Sequence, residues 1–205
     1  MRQDREHARM MQEYMEQRHG VIFEARRSPF KAVAPWIRTL LAAFVLAFFI
    51  SQFVVVNAAV VSGSMENTIM TDDRVICNRL AYLFSDPQRF DVIAFERYSS
   101  HEGWVIYVKR IIGMPGERVE IINGMVYIDD ASSPLPDNFV NGIPTGDYGP
   151  FYVPPGHYFV LGDNRDRSSD SKNWDDPFLP REQILGRALF VYYPRLSRIE
   201  GVAYS

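Results

Sequence analysis

The chain has 205 residues, 47% of them hydrophobic and 23% charged, with a net charge of −3. That length allows one moderate domain or one domain with appendages, and the composition excludes a collagenous, low-complexity or wholly disordered chain. The acidic balance argues against a dedicated nucleic-acid binder, and the single cysteine, Cys77, excludes an internal disulfide and any cysteine zinc cluster. Of the 22 basic residues only three are lysine: Lys31, Lys109 and Lys172.

Residues 2–19 carry charges of both signs and predict a short charged helix, a solvated tail. From Trp36 to Val56 the chain is apolar except for Arg38 near its start and Ser51 and Gln52 further in. At about 1.5 Å per helical residue such a run spans roughly the 30 Å of a bilayer core. Trp36 and Arg38 suit the interface, Arg38 by snorkelling. A buried core helix would rarely be apolar on every face in so small a protein. A cleavable signal peptide would have a shorter apolar run behind a short basic lead. The expectation is therefore an uncleaved anchor over residues 36–57. Arg26, Arg27, Lys31 and Arg38 flank one side, whereas the other offers no Lys or Arg until Arg74. The positive-inside rule then places residues 1–35 in the cytoplasm and residues 58–205 outside, in a single-pass protein of the cell membrane.

Beyond residue 57 short apolar runs alternate with turn residues. Arg74–Cys77, Val92–Phe95 and Trp104–Ile112 are strand candidates. Glu117–Ile122 and Met125–Ile128 form another pair, joined by Asn123-Gly124, a strong hairpin signal. Residues 131–156, rich in Pro, Gly, Ser and Asp, predict a long irregular excursion. Tyr158–Leu161 returns as a strand and runs into the polar stretch Gly162–Trp174; Ala188–Tyr193 is the last candidate. The external portion is thus expected to be mostly β, in antiparallel sheets.

Ser62 and Ser64 flank a glycine a few residues past the anchor, a pattern that usually marks a turn. A serine needs a base to become a nucleophile. His7 and His19 lie on the cytoplasmic side; His101 or His157 could serve a Ser-His-Asp triad, but both sit in turn contexts. Lysine is the other possible base. Lys31 is on the wrong side and Lys172 lies in a polar loop. Lys109 lies in the apolar strand VIYVKRII, on one face with Val105, Tyr107 and Ile111. Desolvation there can bring a lysine down by several pKa units, whereas arginine stays protonated. From this segment alone, a snorkelling or ion-paired lysine remains the commoner reading. Arg110, on the opposite face, suits a carboxylate partner. The run GDNRDRSSDSKNW reads by itself as a solvated loop with Asx turns. As a calcium loop it fails, because Arg165 and Arg167 stand where carboxylates belong and the EF-hand glycine and glutamate are missing.

Taken in order, SGSMENTI (62–69), DRVICNRLAY (73–82), RFDVIAF (89–95), YVKRIIGMPGERV (107–119) and GDNRDRSSDSKNW (162–174) resemble the boxes of the type I signal peptidases. These membrane-bound Ser-Lys proteases remove signal peptides from exported proteins. With the anchor, the resemblance covers most of residues 36–174. It implies a mostly β, antiparallel signal-peptidase-like catalytic domain over 58–205, preceded by one N-terminal transmembrane helix. A smaller β insertion is expected within 115–157. It implies Ser64 as nucleophile, Lys109 as general base, Ser62 in the oxyanion hole with the Ser64 amide, and Ser168 orienting the lysine. Val61, Met65, Ile69, Tyr107 and Val108 match groove positions. Asp163, Arg165 and Asp170 match structural charged residues, with Arg110 and Lys172 as partners.

The resemblance further implies peptide hydrolysis through an acyl-enzyme, with no metal or organic cofactor and no nucleic acid. The expected partners are preprotein signal peptides and the lipid bilayer. Ser64 lies eight positions beyond Val56, at most about 28 Å of extended chain, so the nucleophile stays close to the outer membrane face. One departure is Asn67, where the family commonly has proline; a modified turn is expected. Val56-Asn57-Ala58 fits a small-x-Ala pattern, so self-cleavage near Ala58 is conceivable. Tyr82–Phe84 could dip into lipid or belong to the core. Two other readings are a self-cleaving Ser-Lys protease like the SOS-response repressors and an inert membrane-anchored β domain that binds exported polypeptides. The anchor disfavours the first; Ser64, Lys109 and Ser168 disfavour the second.

Overall fold

The computed structural model describes residues 2–19, 29–99 and 103–199, so Arg26, Arg27 and His101 lie outside the described residues. The chain divides into two compact units, 1–47 and 48–205. The first holds α1 (Arg2–His19) and most of α2 (Pro29–Phe49). The run Val33–Val54 is long and apolar enough to cross a membrane, and none of it is buried against protein.

In the second unit α2 ends in a π-helical turn, Ile50–Val54, and the chain extends at once into β1 (Val55–Ala59). Residues 55–57, expected in the anchor, therefore belong to a strand. The run Val54-Val55-Val56 is apolar enough for lipid, yet its β-branching favours extended backbone. Val56 and Ala58 alternate into the core.

The main sheet is built from β1, β2 (Arg74–Asn78), β3 (Val92–Ser99), β4 (Gly103–Gly113), β8 (His157–Leu161), β9 (Leu179–Pro180), β10 (Ile184–Tyr193) and β11 (Ser197–Arg198). All its pairings are antiparallel, in the order β1-β2-β10-β3-β4-β8-β9, with β11 on β10. A second, three-stranded sheet of order β6-β5-β7 lies between β4 and β8 in the chain. It contains β5 (Arg118–Ile122), β6 (Met125–Ile128) and β7 (Tyr148–Tyr152). Asn123 and Gly124 have φ of 49° and 77°, the left-handed pair that a two-residue hairpin needs. A Cβ on Gly124 would stand 2.1 Å from the Pro144 carbonyl oxygen.

Strand β7 falls inside the expected irregular excursion. Pro150 concealed it: proline is confined to sheet edges, and β7 is an edge. Three apolar clusters support this frame. One, from β1, β2, β10 and Met65–Ile69, lies behind the serine turn. Another joins the small sheet to Phe90, Phe159 and Leu161. The third packs Ile93, Phe95, Ile111 and Val160.

Candidate active site

Ser64 sits in a single 3-10 turn, Gly63–Met65, entered from extended backbone at Ser62. The turn is anchored from below by apolar contacts. Met65 and Ile69 are buried among Val56, Val75 and Val108, and the Ile69 N–H donates to the Met65 carbonyl at 2.8 Å. Lys109 comes from the middle of β4, paired with Ile93 of β3, where the strand is covered on both faces. Its side chain is 2% exposed and reaches Ser64, with Nζ 2.5 Å from Oγ. Burial lowers its pKa to about 8; Asp170 and Asp163 pull it up and Lys172 pushes it further down. A lysine so placed is neutral in a good fraction of molecules in mildly alkaline water, which is what a proton acceptor requires.

The two candidates therefore meet in space, 45 positions apart in sequence. Ser62 joins them, its Oγ 3.2 Å from that of Ser64. Above the pair a hollow of about 290 Å³ runs between the segment Ala59–Ser62 and the outer half of β4, Val105–Lys109. Val61, Met65, Tyr107 and Val108 line it as expected. Ile69 does not; it is fully buried in the core behind the turn. The tight 65–69 turn swings it inward to pack beside Met65. Backbone left exposed on both sides of the hollow suits an extended peptide added as a strand.

The polar stretch after β8 holds the serine turn from the other side. Arg110, on the face of β4 opposite Lys109, makes a buried bidentate pair with Asp163 at 2.9 and 2.7 Å. Asp163 also accepts from Thr68 Oγ1 at 2.5 Å. Asp170 accepts from the Gly162 N–H at 2.9 Å and pairs with Lys172 at 3.0 Å. These pairings match the expected charged partners. Arg165 is different. It is buried near Asp163, Asp170 and Asp137, but its Nε has no hydrogen-bond partner, and burial lowers its pKa. Ser168 also departs from expectation. Its Oγ is buried without a partner and makes no bond to Lys109, whose amine is directed to Ser64 instead. Of the histidines, His157 is tied through Nδ1 to the Pro155 carbonyl and takes no part.

Sequence reasoning missed Asn164. Its N–H donates to the Ser64 carbonyl at 3.0 Å. Its Nδ2 donates to the Gly63 carbonyl at 3.0 Å and to Glu66 Oε2 at 3.2 Å. One buried asparagine thus grips two consecutive peptide groups of the nucleophile turn. In sequence it looked like an Asx-turn residue; only its place between two charged boxes could have hinted at more. Gly162 is equally constrained, for a Cβ there would stand 2.3 Å from Ser168 Oγ and 2.4 Å from the Ser64 carbonyl oxygen.

Asn67, at the departure from the proline pattern, has φ of 96° and donates from Nδ2 to the Phe139 carbonyl at 3.0 Å. Proline is locked near −65° and cannot take that backbone. Asn67→Pro is therefore expected to lower Tm by roughly 5 °C or more, measured by calorimetry of the purified protein. The Ala58–Ala59 bond, considered above for self-cleavage, lies within β1, paired to β2 through Ala58↔Val75 and Ala59↔Arg74. With Val56 and Ala58 buried, that bond is withheld from the folded protein's own site. No group of three metal-ligating side chains occurs among the described residues.

This geometry, a buried Ser-Lys pair at the foot of a strand-binding hollow on an antiparallel β frame, has close relatives. The family described as "Signal peptidase, peptidase S26" matches residues 33–193. A probable signal peptidase I-2 of Synechocystis sp. is 37% identical over 160 residues, 77% of this chain and 72% of the relative. A signal peptidase I of Leptolyngbya laminosa is 36% identical over 166 residues, covering 77% and 78%. Signal peptidase I S of Bacillus subtilis is 35% identical over 175 residues, covering 80% and 91%. A signal peptidase I crystal structure from Enterococcus faecalis, 36% identical, aligns with 50% of this chain and 97% of its own, at a TM-score of 0.40. The chain belongs to the signal peptidase family S26, serine proteases that remove signal peptides.

Proposed function

We propose that Ser64 and Lys109 are the catalytic dyad with which this signal peptidase cleaves preproteins; the observation that carries the reading is their buried 2.5 Å contact at the foot of the hollow. The neutral amine of Lys109 accepts the Ser64 hydroxyl proton as Oγ attacks the carbonyl before the cut. The oxyanion receives bonds from the Ser62 hydroxyl and the Ser64 N–H, where one donor is typically worth about 3–4 kcal/mol. Protonated Lys109 gives its proton to the leaving amine, the acyl-enzyme remains on Ser64, and Lys109 then activates water for deacylation. Once substrate draws Ser64 away, the ammonium needs another acceptor. Ser168 Oγ, buried and unpartnered across Gly162 from the Ser64 carbonyl, supplies one.

Residues 36–57 carry the chain across the cell membrane, with 1–35 in the cytoplasm and 58–205 outside. The exposed apolar run and the position of Ser64 just past it support this orientation. The bilayer then brings enzyme and signal peptide to the same depth. The four residue positions lining the hollow near Ser64, Val61, Met65, Tyr107 and Val108, form shallow apolar walls suited to small side chains before the cut.

Wild type and Ser64→Ala are incubated in detergent with a preprotein and the products separated by gel. Cleavage by wild type alone is expected. Binding without cleavage by both would favour the inert β domain.

A further inference from the structure

We propose that the tip Leu83–Phe84 is a lipid contact of the β portion, seated in the interfacial layer of the bilayer and fixing the height of the hollow above it. The proposal rests on the membrane orientation given above. Phe84 is 98% exposed and Leu83 63%, two large apolar side chains side by side on a surface turn. Single exposed apolar residues are ordinary, but an adjacent pair at a loop tip marks a contact.

The tip is built to hold them outward. It follows a 3-10 turn, Arg79–Tyr82, capped by Asn78, whose side chain accepts from the Leu80 N–H at 2.9 Å. The Leu83 N–H donates to the Leu80 carbonyl, and Ser85 Oγ to the Ala81 carbonyl at 2.7 Å. Tyr82 donates its hydroxyl to buried Asp91 at 2.9 Å, and Arg181 binds the Tyr82 carbonyl at 2.7 Å. A loop fixed by so many bonds could have turned its apolar residues inward; this one presents them.

What covers the tip follows from its neighbour. The Arg79–Tyr82 turn packs against Ile50–Val54, the last turn of the apolar run before β1. That turn carries its own exposed apolar residues, Ile50 and Phe53. Leu83 and Phe84 therefore continue the apolar surface where the chain leaves the bilayer. An aromatic beside an aliphatic, with Arg79 exposed at the base of the turn, fits acyl-chain tops beneath anionic headgroups.

The test uses the full chain in lipid nanodiscs with a thiol-reactive, environment-sensitive dye at Phe84→Cys, Val45→Cys or Ile143→Cys in turn. Cys77 is buried and its thiol is pushed up to about 12, so it stays unlabelled. Ile143, 87% exposed in the excursion, is the reference for solvent. Lipids carrying a nitroxide near the headgroup are expected to quench the dye at 84 by about twofold or more and leave 143 unchanged. Lipids with a deep nitroxide quench the dye at 45. Quenching at 45 without quenching at 84 overturns the proposal and leaves the membrane span standing. Absence of quenching at 45 overturns the span and the proposal together. Equal quenching at 84 and 143 is general adsorption and also overturns it. So does a change at 84 that appears only when preprotein is added, which assigns the tip to a protein partner. The double variant Leu83→Ser, Phe84→Ser should cleave a short soluble peptide as wild type does, and a bilayer-embedded preprotein about fivefold more slowly. Wild-type rates on both substrates would overturn the role in setting height.

Discussion

Lys109→Ala leaves a folded protein whose turnover of a signal-peptide substrate falls by about a thousandfold or more, the upper range for losing a general base. Lys109→Arg restores nothing, because a guanidinium does not give up its proton at working pH. The pH profile carries the same information in wild type. Burial lowers Lys109 from 10.5 to about 8, so kcat/KM should climb through that region and fall about tenfold per pH unit well below it. A flat profile from about pH 6 to 10 would remove Lys109 from the role.

The shift has a second consequence, with its own sign. Below the folded pKa of about 8 the amine is charged in both the folded and unfolded chain, and burial makes that charge costly only in the folded one. The difference between 10.5 and 8 corresponds to roughly 3 kcal/mol of lost stability, fully present at neutral pH. As pH rises from about 8 toward 10.5 the unfolded chain holds the extra proton and stability increases. Lys109→Met, similar in shape and uncharged, should therefore be inactive yet melt several degrees higher than wild type at pH 7, with the gap closing above about pH 10. Thermal melts of the two proteins across pH check this. The dyad is kept at the expense of stability, as expected of a functional buried charge.

Gly162→Ala has the next largest effect. The added methyl would stand 2.3 Å from Ser168 Oγ and 2.4 Å from the Ser64 carbonyl oxygen. Carbon–oxygen contacts do not close to such distances, so one side must move. The Ser64 carbonyl is held by the Asn164 N–H at 3.0 Å, and Gly162 itself by Asp170 at 2.9 Å. The shift is therefore forced into the catalytic turn or into Ser168. A displacement of an ångström at the nucleophile costs about a hundredfold in rate. We expect kcat to fall by at least about that factor while KM, set by the hollow on the far side of Ser64, stays within threefold. Equal kcat in the variant would show that the Ser64 position is not determined by this contact.

How much of this was legible in the sequence differs from residue to residue. Lys109 was identified because lysine is rare here and this one stands in an apolar strand on the outer side. Period-two alternation separated it from Arg110, and the structure puts the two on opposite faces, one to Ser64 and one to Asp163. The meeting of Ser64 with Lys109 was not legible from spacing, since it depends on how β1 and β4 flank one hollow. Asn164 was invisible because a main-chain donor carries no side-chain signature. Ile69 was misplaced because an apolar residue beside a groove and one behind it look alike in a string of letters. Strand β1 was absorbed into the anchor, since hydrophobicity alone does not separate a helix in lipid from a strand in a core. Strand β7 was hidden by Pro150, which a sheet edge tolerates.

The central claim is that peptide bonds are cut through an acyl-enzyme on Ser64 with Lys109 as base. It is tested most directly with an ester of a signal-peptide fragment, whose easy acylation lets the intermediate accumulate. The reaction is quenched in acid during turnover and the protein fragmented in a mass spectrometer. The account predicts the acyl group on Ser64 in wild type and no acyl group in Ser64→Ala or Lys109→Ala. An acyl group on Ser62, or one that persists at the same level in Lys109→Ala, would contradict it.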